Sequence, residues 1–421
     1  MRFSSLAEWL AWQEALHPSA IDLGLERVAA VLRRLHPAPP PFAVITVGGT
    51  NGKGSTVAML DAILRAGGYR VGAYTSPHLL RYNERVRLDG HVVDDAALCT
   101  AFERIDQARG DISLTYFEFG TLAALDIFWH AGVDVAILEV GMGGRLDAVN
   151  VLDADVALVT TVDIDHAQWL GDTREAIAFE KAGIYRPGRP AIYGSVDVPH
   201  SLRQQAAAIG ARLYCYGMDF GATPEGEGWR WWGGGQERHA LPLPALRGRA
   251  QLQNAAGVLM VLAAVAHRLP LAQAQIRAGL LAATLPGRFQ IQPGEVVRIL
   301  DVAHNPQAAA ELAANLAAMP CAGRTLAVVG MLADKDMAGT LGQLRDAIDH
   351  WYAAALQVPR GATTAQLTAA LAAAGAGAER VTACGDVAAA LAQAGAAARA
   401  GDRIVVFGSF YTVAEALARP V

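Results

Sequence analysis

A β-branched run, Val44-Ile45-Thr46-Val47, leads into Gly48-Gly49-Thr50-Asn51-Gly52-Lys53-Gly54-Ser55-Thr56 and passes straight into an apolar helical pattern, VAMLDAILRAGG. Strand, glycine turn and helix in that order define a βα unit, and backbone N–H groups at the start of its helix converge on an anion. Lys53 adds a point charge that reaches outer phosphates, and Ser55 and Thr56 add two hydroxyls. The pattern departs from G-x-x-x-x-G-K-S/T, because Val47 stands at the first position and Gly54 follows the lysine. An ordinary glycine-rich turn is the alternative, and it leaves the strand, the lysine and the hydroxyls unexplained together.

The alternation continues along the chain. FAVITV before Gly48, VAILEV before Gly141 and VALVTTV before Asp163 are short apolar strands separated by helical patterns. This predicts βαβ units on a parallel-rich sheet. After Pro286-Gly287-Arg288, the runs VVRIL, TLAVVG and RIVVFG each precede a loop and an Ala-rich helical segment. The expected fold class is therefore α/β, with a nucleotide-binding domain over residues 1–288 and a smaller Rossmann-like domain over residues 289–421. A length of 421 residues, 53% of them hydrophobic, supplies core for two or three domains. Gly217 to Pro244 reads as loops or a small antiparallel excursion, with its tryptophans as packing. The tracts near 365–400 read as helices from their spacing and propensity.

Charge and cysteines exclude other classes. Thirty-five Lys and Arg against 40 Asp and Glu give a net charge of −5, so no general basic field attracts nucleic acid or an anionic membrane. Met1 to Pro18 resembles an amphipathic helix rather than a signal peptide. The longest apolar run, Ala255 to Ala266, is short of the roughly 18–20 residues that span a bilayer. Cys99, Cys215, Cys321 and Cys384 form no CxxC pair, which argues against a zinc knuckle or a redox dithiol. A cytoplasmic monomer is expected.

Glu139 closes the strand VAILE and runs into Gly141-Met142-Gly143-Gly144, which puts a carboxylate at the sheet edge where α/β proteins bind ligands. A solvated strand-end acid is the alternative. Asp163, Asp165 and His166 follow the next strand, although His is an unusual ligand for a hard cation. Lys181, directly after Glu180, reads on its own as part of a solvated helix face. Thr115-Tyr116-Phe117-Glu118 offers an aromatic pair and a carboxylate suited to a flat heterocycle, or equally core packing before a helix.

The GTNGKGS loop resembles that of the Mur ligase superfamily of ATP-dependent amide-bond ligases. YTSPHLLRYNERVRLDG, TYFEFGT, EVGMGGRLDAVN, DHAQWLG, FEKAGI, DVAHNP and GSFYTVA, in this order along nearly the whole chain, are similar to its folylpolyglutamate synthase branch. The resemblance implies a P-loop-containing Mur-ligase-type ATPase domain before the Rossmann-like one. It places ATP on Thr50, Asn51, Gly52, Lys53, Gly54, Ser55, Thr56, Asn254, Arg288 and Asp301, with Arg288 stabilising the transferring phosphoryl. It places two Mg²⁺ ions on Ser76, Glu139 and His166, with Ser55 close by, and on a carbamate formed from CO₂ at Lys181. A pterin site is implied at Asp22, Leu23, Gly24, Leu25, at Thr115, Tyr116, Phe117, Glu118, and at Leu146, Asp147, Ala148. His304 belongs to the implied catalytic cleft and glutamate site, with Ser409 a further candidate there. The activity implied is addition of L-glutamate to dihydropteroate and extension of the glutamate tail of folates, through an acyl phosphate. A cell-wall Mur ligase and a non-ligase P-loop nucleotide-binding protein are the other readings.

Overall fold

The computed structural model describes residues 2–19 and 21–419. The chain forms two compact units whose boundary falls after Thr284, and the short segment Leu246–Gln251 groups with the second. The first unit is built on β1 (Ala43–Gly48), β2 (Val71–Tyr74), β3 (Val86–Leu88), β4 (His91–Val92), β5 (Val135–Glu139), β6 (Val156–Val159), β7 (Pro190–Tyr193) and β8 (Arg212–Cys215). Their order in the sheet is β4-β3-β2-β5-β1-β6-β7-β8. β2 through β8 of that order run parallel, and β3 and β4 add an antiparallel edge. Every residue of β1, β5 and β6 is buried. That is why these strands read as continuous apolar runs rather than alternating ones.

The chain leaves β1 for β2 on one side, returns to β5 beside β1, and then crosses to β6 on the other side. This reversal makes a topological switch point, so the turns after β1, β5 and β6 lie side by side at the carboxyl edge. Around the sheet, the helix Leu6–Leu16 opens with a capping box formed by Ser5 and Glu8. It buries Trp9 against Phe102 and Phe119. Cys99, Cys215 and Cys384 are buried and all four thiols are free. No helix among the described residues is long and apolar enough to cross a membrane.

The stretch after Gly217 forms a separate antiparallel sheet of β9 (Phe220–Glu225), β10 (Gly228–Gly233) and β11 (Gln236–Leu241), with β10 in the middle. Trp229 and Trp231, two apart, fall on the same buried face. Their indoles donate to the carbonyls of Pro242 at 2.8 Å and Ala256 at 3.1 Å. Gly234 and Gly235, at φ +58° and +74°, make the two-residue turn from β10 to β11, a conformation that suits glycine.

The second unit contains β12 (Gln290–Gln292), β13 (Val297–Leu300), β14 (Thr325–Val329), β15 (His350–Ala354), β16 (Val381–Cys384) and β17 (Arg403–Phe407) in the order β12-β13-β17-β14-β15-β16. All pairs are parallel except β12 with β13. Leu312, Leu316, Trp351, Val405 and Phe407 lie in its core. The Ala-rich tracts are the helices Thr364–Ala373 and Val387–Ala397.

Trp231→Ala removes a fully buried indole and the bond that ties the three-stranded sheet to the helix Arg249–Ala264. Urea unfolding should show a loss of about 3–5 kcal/mol, the usual cost of truncating a buried aromatic.

Candidate functional site

The phosphate loop leaves β1 with Gly49 at φ +139° and Gly52 at φ +88°, and both positions are crowded. A Cβ on Gly49 would lie 1.9 Å from Thr160 Oγ1, and one on Gly52 would lie 2.7 Å from Asn254 Oδ1. Only glycine satisfies the dihedral and the space together. The loop is stitched to the exit of β6: the Thr50 amide donates to Thr161 O at 2.8 Å, the Asn51 amide to Thr161 Oγ1 at 3.1 Å, and Thr160 Oγ1 to Asn51 O at 2.6 Å. The helix Lys53–Ala66 then begins with no side-chain cap. First-turn amides of a helix have no intrahelical acceptor and carry the positive end of its dipole, which makes them an anion cradle. Lys53 Nζ curls over the loop and donates to Gly49 O at 2.9 Å and Thr50 O at 3.2 Å. Ser55 and Thr56 are buried, and Thr56 Oγ1 has no hydrogen-bond partner among the described residues.

The turns after β2 and β5 meet next to it. Glu139, 5% exposed at the end of β5, accepts from the Ser76 amide at 3.3 Å. This brings together two residues expected at a metal. A buried carboxylate at the end of β5 and the buried Ser55 hydroxyl on the helix that follows β1, the strand paired with β5, are oxygen donors of the kind that fit Mg²⁺. His166, at φ +53°, starts the short helix Ala167–Leu170, and its amide donates to Asp165 Oδ1 at 2.8 Å. His36, Asp126 and His130 have metal-like spacing elsewhere among the described residues. There Asp126 already accepts from the Arg104 guanidinium and faces His36, so its carboxylate is engaged within the protein.

Lys181 corrects the solvated-face reading from sequence. It is 5% exposed on the last turn of the helix Arg174–Ala182, on the same face as buried Ile177 and Ala178. Burial and then the charge of Lys53 push its amine down to about 7, with Asp165 and Asp147 pulling the other way. The helical stripe 177, 178, 181, 182 was the sequence signal for this burial. Asp147 is buried too, and desolvation raises its carboxyl to about 6 against amide donors from Met142 and Val149 and the charge of Lys53. Lys53, Lys181, Asp147 and Asp165 therefore feel one another across one small region.

Thr115 and Glu118 form a capping box at the start of the helix Tyr116–Ala131. The spacing T-x-x-E signals this in sequence. Glu118 Oε2 accepts the Thr115 amide at 2.8 Å and Glu118 Oε1 lies 3.0 Å from Arg27. Arg27 also binds Asp22 Oδ2 at 2.8 Å. Tyr116 packs edge-on against Tyr82, with Arg85 over both rings. Phe117 lies under Gly141, where a Cβ would come within 2.6 Å of its ring. Asp147 is followed by the turn Ala148–Val151. No local sequence signature marks the contact of Arg27 with Glu118 or of Arg85 with Tyr116, because these partners come from distant segments.

In the second unit, Arg288 stands just before β12, beside the adjacent exits of β13 and β17 that carry Asp301, His304 and Ser409. Asp301 accepts from the amides of Phe289 and Ala303, both at 2.8 Å, and burial raises its carboxyl against the charge of Arg288. The Arg288 guanidinium stacks on Phe410 at 5.2 Å, and the His304 ring stands 6.3 Å from the same ring. His304 Nδ1 faces Val302 O at 2.8 Å. Ser409 is 4% exposed and its hydroxyl caps the helix Phe410–Leu417 through the Thr412 amide. It serves the fold there. Asn305 caps the helix Pro306–Ala318, in line with a helix start after His304.

Two family models match the chain: the Mur ligase middle domain over residues 47–262 and the Mur ligase glutamate ligase domain over residues 287–410. The dihydrofolate synthase/folylpolyglutamate synthase of Escherichia coli K12 is 48% identical over 414 residues, covering 98% of this chain and 95% of its own. A solved structure of E. coli FolC in complex with DHPP and ADP superposes with a TM-score of 0.93 at 47% identity, covering 99% of this chain and 97% of that one. The bifunctional enzyme of the same name from Yersinia pestis, with AMPPNP and Mn ion, superposes at 0.89 with 48% identity, covering 99% and 98%.

Lys181 also makes stability depend on pH. Its amine titrates at about 7 when folded and near 10.5 when unfolded, so the unfolded chain holds the extra proton between those values. The unmodified protein should gain stability as pH rises from about 7 toward 10.5. Lys181→Met should flatten that rise in denaturant titrations at several pH values.

Proposed function

The chain belongs to the dihydrofolate synthase/folylpolyglutamate synthase family of Mur ligases, and from this premise we propose that it joins L-glutamate to dihydropteroate and extends the glutamate tail of folates at the expense of ATP. The observation that carries the reading is the grouping of Lys53, Glu139 and Lys181 around the phosphate loop at the switch point, in a chain that aligns with such ligases over nearly its full length. A cell-wall Mur ligase or a P-loop protein without an amide product fits the relatives less well.

In this reading a carboxylate oxygen of dihydropteroate attacks the γ-phosphorus of ATP, ADP leaves, and an acyl phosphate forms. The α-amino group of glutamate then attacks the acyl carbon, loses a proton, and inorganic phosphate leaves. Helix-start amides from Lys53 to Ser55, with Thr50, Asn51, Gly52 and Thr56 around them, hold the phosphates. Lys53 swings from its own loop carbonyls to the outer phosphates, so its present partners preorganise it without a desolvated, unpaired charge. Asn254, braced on Gly52, and Asp301 and Arg288 complete the nucleotide contacts, and Arg288 offsets charge on the transferring phosphoryl. Two Mg²⁺ ions, held by Ser55, Ser76, Glu139, His166 and modified Lys181, supply further positive charge there. Asp22 to Leu25, Thr115 to Glu118 and Leu146 to Ala148 take the pterin. His304 is the glutamate-side group, with Ser409, the cap of the helix Phe410–Leu417, a further candidate there. The enzyme works as a cytoplasmic monomer.

Carbamate formation needs a neutral amine to attack CO₂, and burial together with the charge of Lys53 favours the neutral form of Lys181. Lys181 Nζ adds to CO₂ and releases one proton, which turns a buried neutral amine into an anionic oxygen ligand. The carbamate sets a negative charge near Lys53, where the protonated amine would meet a like charge.

ADP release should require ATP, dihydropteroate and glutamate together, and fall to background when either acceptor or amine is withheld. Release that continues unchanged without one of them refutes the ligase reading. Lys181→Ala should be inactive and regain part of its activity with short-chain carboxylates; full activity without rescue removes the carbamate.

A further inference from the structure

Arg27, the second residue of the helix Glu26–Leu35, reaches two segments that are far apart in sequence. Its Nη1 donates to Asp22 Oδ2 and its Nη2 to the Asp22 carbonyl, both at 2.8 Å. Its Nε lies 3.1 Å from Glu118 Oε1, and Nη2 lies 3.0 Å from the same oxygen. A planar guanidinium with five fixed donors makes such a fork, whereas an ammonium has no matching geometry.

The two carboxylates differ in what remains open to them. The Glu118 side chain is 4% exposed, with one oxygen on the Thr115 amide and the other on Arg27. The Asp22 side chain is 40% exposed and engages Arg27 and His17 through Oδ2. One guanidinium between two carboxylates leaves one negative charge uncompensated, and the more exposed Asp22 is where it is accessible. Glu118 is thus an internal anchor, and Asp22 is the carboxylate presented outward.

We propose that Arg27 is a positioning residue for the acyl substrate. By fastening Asp22 to Leu25 onto the N-terminal turn of the helix Tyr116–Ala131, it sets the spacing between the two walls of the pterin site. It also presents the Asp22 carboxylate to a flat ring rich in N–H donors. The proposal rests on the assignment of Asp22 to Leu25 and Thr115 to Glu118 to that substrate.

Steady-state kinetics of Arg27→Met, Arg27→Lys and Asp22→Asn test it, with each of the three substrates varied in turn. Arg27→Met should raise KM for dihydropteroate by about tenfold or more while KM for ATP and for glutamate stays within about twofold, with the Lys variant between it and wild type. Arg27→Met combined with Asp22→Asn should be little worse than the poorer single variant, as expected of residues acting as one unit. If Asp22→Asn raises the dihydropteroate KM and Arg27→Met does not, the clamp is wrong and the site assignment stands. If neither changes it, the assignment fails and takes the proposal with it. Equal changes in all three KM values, or a loss of thermal stability alone, would mark Arg27 as merely structural. Should the Met variant not fold, the Lys variant carries the same test through its substrate selectivity.

Discussion

The parallel pairing of β1 with β5 on one side and β6 on the other is the constraint from which the rest of the first unit follows. Register aligns Val47 with Glu139 and with Leu158, so the three strands end at nearly the same height. The phosphate loop, the acid of β5 and the Thr160–His166 turn therefore emerge as neighbours. Ladder hydrogen bonds hold them there without any help from a ligand. The burial of all three strands makes slippage costly, because a one-residue shift would misplace every side chain at the edge.

That edge concentrates charge in a region with little water. Lys53 lies close enough to Lys181 to disfavour protonation of the buried amine, and a buried aspartate at 147 is pushed toward its neutral form. Such opposed shifts mark a place where protonation states are set by surroundings rather than by bulk pH. Anionic ligands enter a site that is already short of negative charge, and the fold has borne the cost of that imbalance beforehand.

The parts legible in sequence are those where the backbone itself demands a residue type. Gly49 and Gly52 are required by positive φ and by contact with Thr160 and Asn254, so the loop announces itself. The buried parallel strands are equally visible as apolar runs. Three things were harder to see. The burial of Lys181 was masked by the polar Glu180 beside it, although the helical stripe contained the information. The antiparallel sheet after Gly217 was legible only as one of two readings, loops being the other, and the two-residue alternation of Trp229 and Trp231 is what favours it. Arg27 was invisible because its bond to Glu118 joins residues 91 apart. No local period encodes such a pair; only the packing of helices against the sheet brings it about.

Both main sheets begin at one side with a short antiparallel strand, two residues in β4 and three in β12, and end at the other with strands of four residues. An exposed sheet edge offers unpaired N–H and C=O groups to any passing strand. In a chain that is 53% hydrophobic, long flat edges would invite polymerisation through the backbone. Brief, reversed edge strands leave a stranger almost nothing to pair with. The same architecture that gathers the active edge thus guards the molecule against aggregation along its flanks.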